Sequence, residues 1–263
     1  MHATTERLAG QTVSKVPALT LGFWIIKIAA TTLGETGGDW VTMSLNLGYL
    51  VGSLIFLAAF VVLVAAQIRA ARFDAWLYWA TIVATTTFGT TLADFCDRSL
   101  GIGYAGGVTI IVALLAASLA IWYRVEGTVS VDSVTGSRAE WFYWATIMLS
   151  QTLGTALGDY VAGKDLGGLG LGYELGAAIF GAGLVVVALL RLRPRVSRTA
   201  LFWAAFVLTR PLGATLGDWL DKPVAQGGLE LSRFYATAAL AVFIVACIVL
   251  IPQRAATPAA DRR

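Results

Sequence analysis

Four stretches of this chain align with one another without a gap: FWIIKIAATTLGETGGDW (23–40), YWATIVATTTFGTTLADF (78–95), YWATIMLSQTLGTALGDY (143–160) and FWAAFVLTRPLGATLGDW (202–219). Each opens on an aromatic followed by Trp24, Trp79, Trp144 or Trp203. Ten residues later comes Gly34, Gly89, Gly154 or Gly213, and five beyond that Asp39, Asp94, Asp159 or Asp218, each followed by an aromatic. A second segment follows each copy, opening with Gly48-Tyr49, Gly103-Tyr104 or Gly172-Tyr173; the fourth copy departs, with Ser232-Arg233. Self-similarity at a fixed period means that one supersecondary unit is stacked on itself, so the fold is a multiple of a single motif.

The unit is a pair of apolar helices. Eight runs near 20 residues long fall at about 18–38, 46–66, 75–95, 103–123, 141–161, 171–190, 199–219 and 233–251. That length crosses about 30 Å of hydrocarbon. With 57% hydrophobic and 13% charged residues, the chain carries about half the charge of a soluble domain. The alternation of barrel strands is absent, which leaves helices as the spanning element. The expected fold is an all-α membrane protein of eight transmembrane helices in four tandem, parallel two-helix repeats (about 18–68, 73–124, 138–190 and 198–251), forming one membrane domain over 18–251. Residues 1–17 form a polar segment without the pattern of a signal peptide, and the Ala- and Pro-rich tail, 252–263, is expected to be disordered.

Thirteen Lys and Arg lie in the termini and in the loops after helices two, four and six, against four in the other loops. The positive-inside rule puts both termini in the cytoplasm. This asymmetry accounts for the net charge of +3 without a nucleic-acid partner; the bilayer is the expected partner, and the sequence is silent on oligomeric state. Two cysteines, Cys96 and Cys247, and one histidine, His2, are too few for a zinc site, a bis-His haem or a disulfide framework, and no cofactor is expected. No Ser/His pair, HExxH or other catalytic signature is present, so the chain does not read as an enzyme.

The odd helices then run outward, with the tryptophans near the inner interface and the aspartates about 22 Å away near the outer one. Small-xxx-small pairs (Gly34/Gly38, Gly89/Ala93, Gly154/Gly158, Gly213/Gly217) favour close helix approach in the outer half, and a splayed inner half would leave a cytoplasm-facing vestibule. The four aspartates are either interfacial, wetted by headgroups or paired with Arg98, Lys164, Lys222 or Arg233, or they converge into a polar cluster that binds a cation or relays protons. The copies differ where symmetry would have to break. Repeat 1 carries Lys27 and Glu35, and repeat 4 carries Arg210 followed by Pro211. Glu35 and Arg210 are too deep to reach an interface and are expected to pair across the bundle, whereas Lys27 either joins them or snorkels inward.

The pattern, with TTLGETGGDW in the first copy and LGATLGDW in the last, resembles a bacterial family of uncharacterised membrane-anchored proteins, four tandem repeats of two membrane helices with a characteristic tryptophan. The resemblance covers Lys15 to Leu250, gives Trp24, Trp79, Trp144 and Trp203 the tryptophan role, and implies a multi-pass protein of the bacterial inner membrane without assigning an activity. The leading expectation is a small secondary transporter for a cation or a proton-coupled solute, using Asp39, Asp94, Asp159, Asp218, Glu35, Lys27 and Arg210; the alternative is a membrane scaffold or sensor. A metal, if bound by the four aspartates, would be a hard cation such as Mg²⁺ or Mn²⁺, because only oxygen ligands are on offer.

Overall fold

The computed structural model describes residues 14–256. It contains eight long helices and, among these residues, no β-strand: α1 (Leu21–Asp39), α2 (Gly48–Arg69), α3 (Ala75–Asp94), α4 (Tyr104–Glu126), α5 (Ser137–Ala162), α6 (Tyr173–Leu190), α7 (Arg198–Asp221) and α8 (Arg233–Leu250). Side-chain caps start three of them: Thr20 accepts from the Phe23 amide, Asp74 from Leu77 and Ser197 from Ala200. Gly48, Gly103 and Gly172, which open the even helices of the first three repeats, all have φ between +74° and +82°, where a side chain would be strained. The fourth repeat turns differently. Ser232 has an ordinary φ of −58°, while Glu230, two residues earlier, keeps the positive φ that Asn46, Gly101 and Gly170 take at the equivalent position.

The helices form two shells. The odd-numbered helices make a closed ring in the order α1, α3, α5, α7 and back to α1. Each even-numbered helix lies outside, packed against the odd helix of the following repeat: α2 on α3, α4 on α5, α6 on α7, and α8 back on α1. This arrangement sets the composition of each shell. Five helices, the four outer ones and α7, are long and apolar enough to cross a membrane, and the outer ones keep most of their surface exposed. The remaining ring helices are surrounded by protein and carry more threonine, glycine and charge, which lowers their hydropathy.

Ring contacts run through the motif glycines, one seam per repeat. A Cβ on Gly34 would meet Thr86; on Gly89, Gln151 and Thr152; on Gly154, Arg210; and on Gly213, Thr31. Thr31, Thr86, Gln151 and Arg210 are themselves equivalent positions, each three residues before a motif glycine. The same lock therefore closes all four seams. Small residues allow this because helix association in lipid depends on close van der Waals packing.

The two ends of the described chain meet. Pro17 bridges Ala255, and the Ala256 amide donates to the Val16 carbonyl at 2.8 Å. The Gln253 side chain also accepts a bond from the Trp79 indole. Residues 252–256 are thus packed against the terminal end of the bundle, unlike the disordered tail expected from their composition; 257–263, and 1–13 with His2 and Arg7, lie outside the described residues. The motif tryptophans lie at this same end. Trp79, Trp144 and Trp203 are buried between helices, and the Trp203 indole donates to the Val129 carbonyl in the α4–α5 loop. Their size fills the ring's terminal end, where each touches aromatics of a neighbouring helix.

Candidate functional site

Steps of four residues along each ring helix put equivalent side chains into layers. Starting from the terminal end, the first layer is Phe23, Tyr78, Tyr143 and Phe202, all buried, with the two tyrosine hydroxyls 2.7 Å apart. Lys27, Ile82, Ile147 and Phe206 follow, then Thr31, Thr86, Gln151 and Arg210, and all eight have 0% exposure. No water-sized space touches them. Next come Glu35, Thr90, Thr155 and Ala214, and finally the four aspartates.

The central charges are held as the sequence suggests. Arg210 Nη2 lies 3.0 Å from Glu35 Oε2 across the α1–α7 seam and also donates to the Thr90 and Thr155 hydroxyls. Repeat 4 has alanine (Ala214) where the other copies carry Glu35, Thr90 and Thr155, leaving room for the guanidinium. Lys27 does not snorkel. Its Nζ is 3.3 Å from Gln151 Oε1 and sits 4.2 Å over the Phe206 ring, with no carboxylate in contact among the described residues. A buried ammonium held by one amide and one ring is weakly compensated. Lys27→Met is therefore expected to stabilise the purified protein by ~1 kcal/mol or more, read as a rise in thermal midpoint in detergent. A fall would show that the ammonium is part of the ring's structural network. The ring hydroxyls Thr32, Thr87 and Thr152 return bonds to their own helices, onto the carbonyls of Ile28, Val83 and Met148.

At the aspartate end the four carboxylates are brought together in pairs. Arg98 Nε contacts Asp94 at 2.6 Å and its Nη2 reaches Asp159 at 3.3 Å. Lys222 contacts Asp39 and reaches Asp218 at 3.1 Å. Each cation thus joins its own repeat's aspartate to that of the next repeat. Lys164, also considered as a partner, is exposed in the α5–α6 loop and forms no ion pair among the described residues. Two further carboxylates join the layer three residues after a motif aspartate: Asp97 and Asp221, at the positions of Thr42 and Ala162 in the other copies. Arg233 Nε approaches Asp221 at 3.4 Å and Asp39 at 3.9 Å. Burial, with the Asp94 carboxylate second, pushes Asp97, just beyond the end of α3, up to about 6. Asp97 and Asp221 were legible as aspartates but lay beyond the aligned copies, which stop at the aromatic after each motif aspartate.

A cavity of about 700 Å³ opens at the terminal end, between α1, α6 and α7 and the 130–132 loop. It is lateral, lined by Leu19, Trp24, Ile28, Val187 and Phe202 among others, and none of the seven proposed site residues borders it. The cavity thus lies at the end where a vestibule was expected, but beside the ring, whose axis there is filled by aromatic side chains. The reason is side-chain size: the ring positions are glycine-rich toward the aspartates, but aromatic toward the termini.

No curated protein and no solved structure matches this chain. The family described as Repeat of Unknown Function (DUF347) matches residues 22–73, 77–128, 142–197 and 201–252, each span holding one ring helix and the outer helix after it. With four matched copies spanning most of its length, the chain belongs to that family.

Proposed function

We propose that this protein is a multi-pass protein of the bacterial inner membrane, with all eight helices spanning and both termini cytoplasmic, and that it is a secondary transporter for a cation or a proton-coupled small solute. One observation carries the reading. Among the described residues, six buried carboxylates, Asp39, Asp94, Asp97, Asp159, Asp218 and Asp221, share a layer with three cations, Arg98, Lys222 and Arg233. Excess negative charge out of water is costly and is relieved by protons or a bound cation, which is the property a coupling site needs. The lipid-facing outer shell and the placement of the arginine-rich loops at the terminal end support the membrane orientation.

In this reading the described conformation is occluded. The aromatic layer closes the axis on one side and the ion pairs close it on the other, and transport requires one of them to part. The packed axis equally favours the second reading, a membrane scaffold that transports nothing. Reconstituted proteoliposomes decide between them. Flux of protons or of a cation from a panel of Na⁺, K⁺, Mg²⁺, Mn²⁺ and Ca²⁺ is expected above empty vesicles, and Asp39→Asn is expected to reduce it about tenfold or more. Absence of flux across the panel, in protein of native thermal stability, would leave the scaffold.

A further inference from the structure

The acidic layer has two halves related by a pseudo-twofold, and they differ at one telling position. Repeat 2 supplies Asp94, Asp97 and Arg98, which face Asp159 of repeat 3; repeat 4 supplies Asp218, Asp221 and Lys222, which face Asp39 of repeat 1. Both halves therefore hold three carboxylates and an internal cation in the same order along the chain. In one half the cation is a guanidinium, whose planar fork engages both aspartates at once and keeps its charge at any accessible pH. In the other it is an ammonium, a point charge on a flexible stem with no fixed geometry to lose.

The carboxylates of the lysine half are also gathered. One oxygen each from Asp39, Asp218 and Asp221 lies within 4.8 Å of the other two. Ligands on opposite sides of one Ca²⁺ are about 4.6–5.2 Å apart, and on opposite sides of one Mg²⁺ about 4.0–4.2 Å, so the three span the reach of a single hard ion. Their hydrogen bonding is incomplete. The Asp221 side chain is 0% exposed, yet neither of its oxygens accepts a hydrogen bond, Arg233 Nε standing 3.4 Å off without making one. Asp39 Oδ1, equally buried, also has no partner. Buried carboxylate oxygens are ordinarily satisfied, and two such side chains aimed into one cluster mark a place where a ligand completes the set.

We propose that Asp39, Asp218 and Asp221 form a binding site for one hard divalent cation, with the Lys222 ammonium as its displaceable placeholder. The Arg98 half is the fixed counterpart: Asp97 there also lacks hydrogen-bond partners, but Arg98 ties Asp94 to Asp159, and no three carboxylates are gathered there among the described residues. The proposal rests on the cation reading above for its role in transport, and on geometry alone for the site. It replaces the four motif aspartates as ligands of one ion by three carboxylates of one seam, because Arg98 holds Asp94 and Asp159 in a separate pair.

The test is Mn²⁺ binding to the full-length protein in detergent, followed by loss of the free-ion electron paramagnetic resonance signal. The wild type is expected to take up one saturable Mn²⁺, displaced by Mg²⁺ or Ca²⁺. Asp221→Asn is expected to weaken it about tenfold or more, since affinity in oxygen sites follows ligand charge. Asp97→Asn, the same change in the other half, is expected to shift it less than about threefold, as a charge acting at a distance. Lys222→Arg keeps the charge but installs the bridging fork, and is expected to weaken binding about tenfold; it carries the comparison if Asp221→Asn does not fold. No saturable Mn²⁺ on the wild type, or equal effects of Asp97→Asn and Asp221→Asn, would overturn the site. Proton-coupled flux without Mn²⁺ binding would sink this proposal and leave the transporter; Mn²⁺ binding without flux would do the reverse.

Discussion

Glu35→Ala is expected to cost ~3–5 kcal/mol of stability. Arg210 has no exposure, and its guanidinium depends on Glu35 for its only counter-charge within ion-pair distance among the described residues. Removing the carboxylate leaves a fixed charge in a protein interior, and the Thr90 and Thr155 hydroxyls that remain can solvate it but not neutralise it. The pair itself is worth far less than the cost of breaking it. Glu35→Leu combined with Arg210→Met is therefore expected to recover most of the loss, since apolar residues of similar volume replace both charges. Unfolding by denaturant in mixed micelles measures both variants against the wild type. A single Glu35→Ala protein within 1 kcal/mol of wild type would show that Arg210 finds another anion or reaches water.

The second large effect concerns the seams, and two glycines that look identical in sequence are expected to behave differently. Gly34→Ala drives a Cβ into Thr86 Cγ2, and all three of its nearest contacts are atoms of that one side chain. Gly89→Ala meets the Gln151 carbonyl carbon and the Thr152 amide nitrogen, both at 2.9 Å, which are backbone. Each alanine is expected to destabilise by ~1–3 kcal/mol or more through overpacking. Only the first is rescued by shortening its neighbour. Gly34→Ala with Thr86→Gly is expected to regain the greater part of the loss, less ~1 kcal/mol for a glycine within a helix. Gly89→Ala with Gln151→Ala is expected to regain little. The same unfolding measurement checks this, and equal rescue at both seams would mean that the ring helices shift freely.

Much of this architecture is legible in the sequence because periodicity is a local property. The eight helices lie within a few residues of the apolar runs, and the small residues at Gly34, Gly89, Gly154 and Gly213 do mark the close contacts. The Glu35–Arg210 pair follows from cost alone, since two deep charges of opposite sign have few other solutions. What eluded the sequence depends on tertiary neighbours. Nothing in α2 says that its partner is α3 rather than α1, because both offer a small-residue face. Lys27 could be read as snorkelling because its distance from the tryptophans is measured along the helix, whereas its burial is decided by Phe206 and Gln151 from other repeats. The alternation of Arg98 and Lys222 with Met43 and Gly163 is written plainly in the chain, four residues after each motif aspartate. Its meaning appears only when the ring order shows each cation reaching into the next repeat.

That each outer helix belongs to the repeat ahead of it, and the last to the first, bears on how the protein is made. Synthesis delivers α1 before the other seven helices, with Lys27 and Glu35 already on it, but two of its three helical neighbours, α7 and α8, emerge only after the six that precede them. The acid of repeat 1 waits 175 residues for its base. Through that interval the nascent first helix carries a carboxylate with no counter-charge and an outer flank with no cover. Assembly of the ring is thus a closing step rather than a growing one, and the first repeat is the part of the molecule most dependent on whatever shelters an unfinished chain at the membrane.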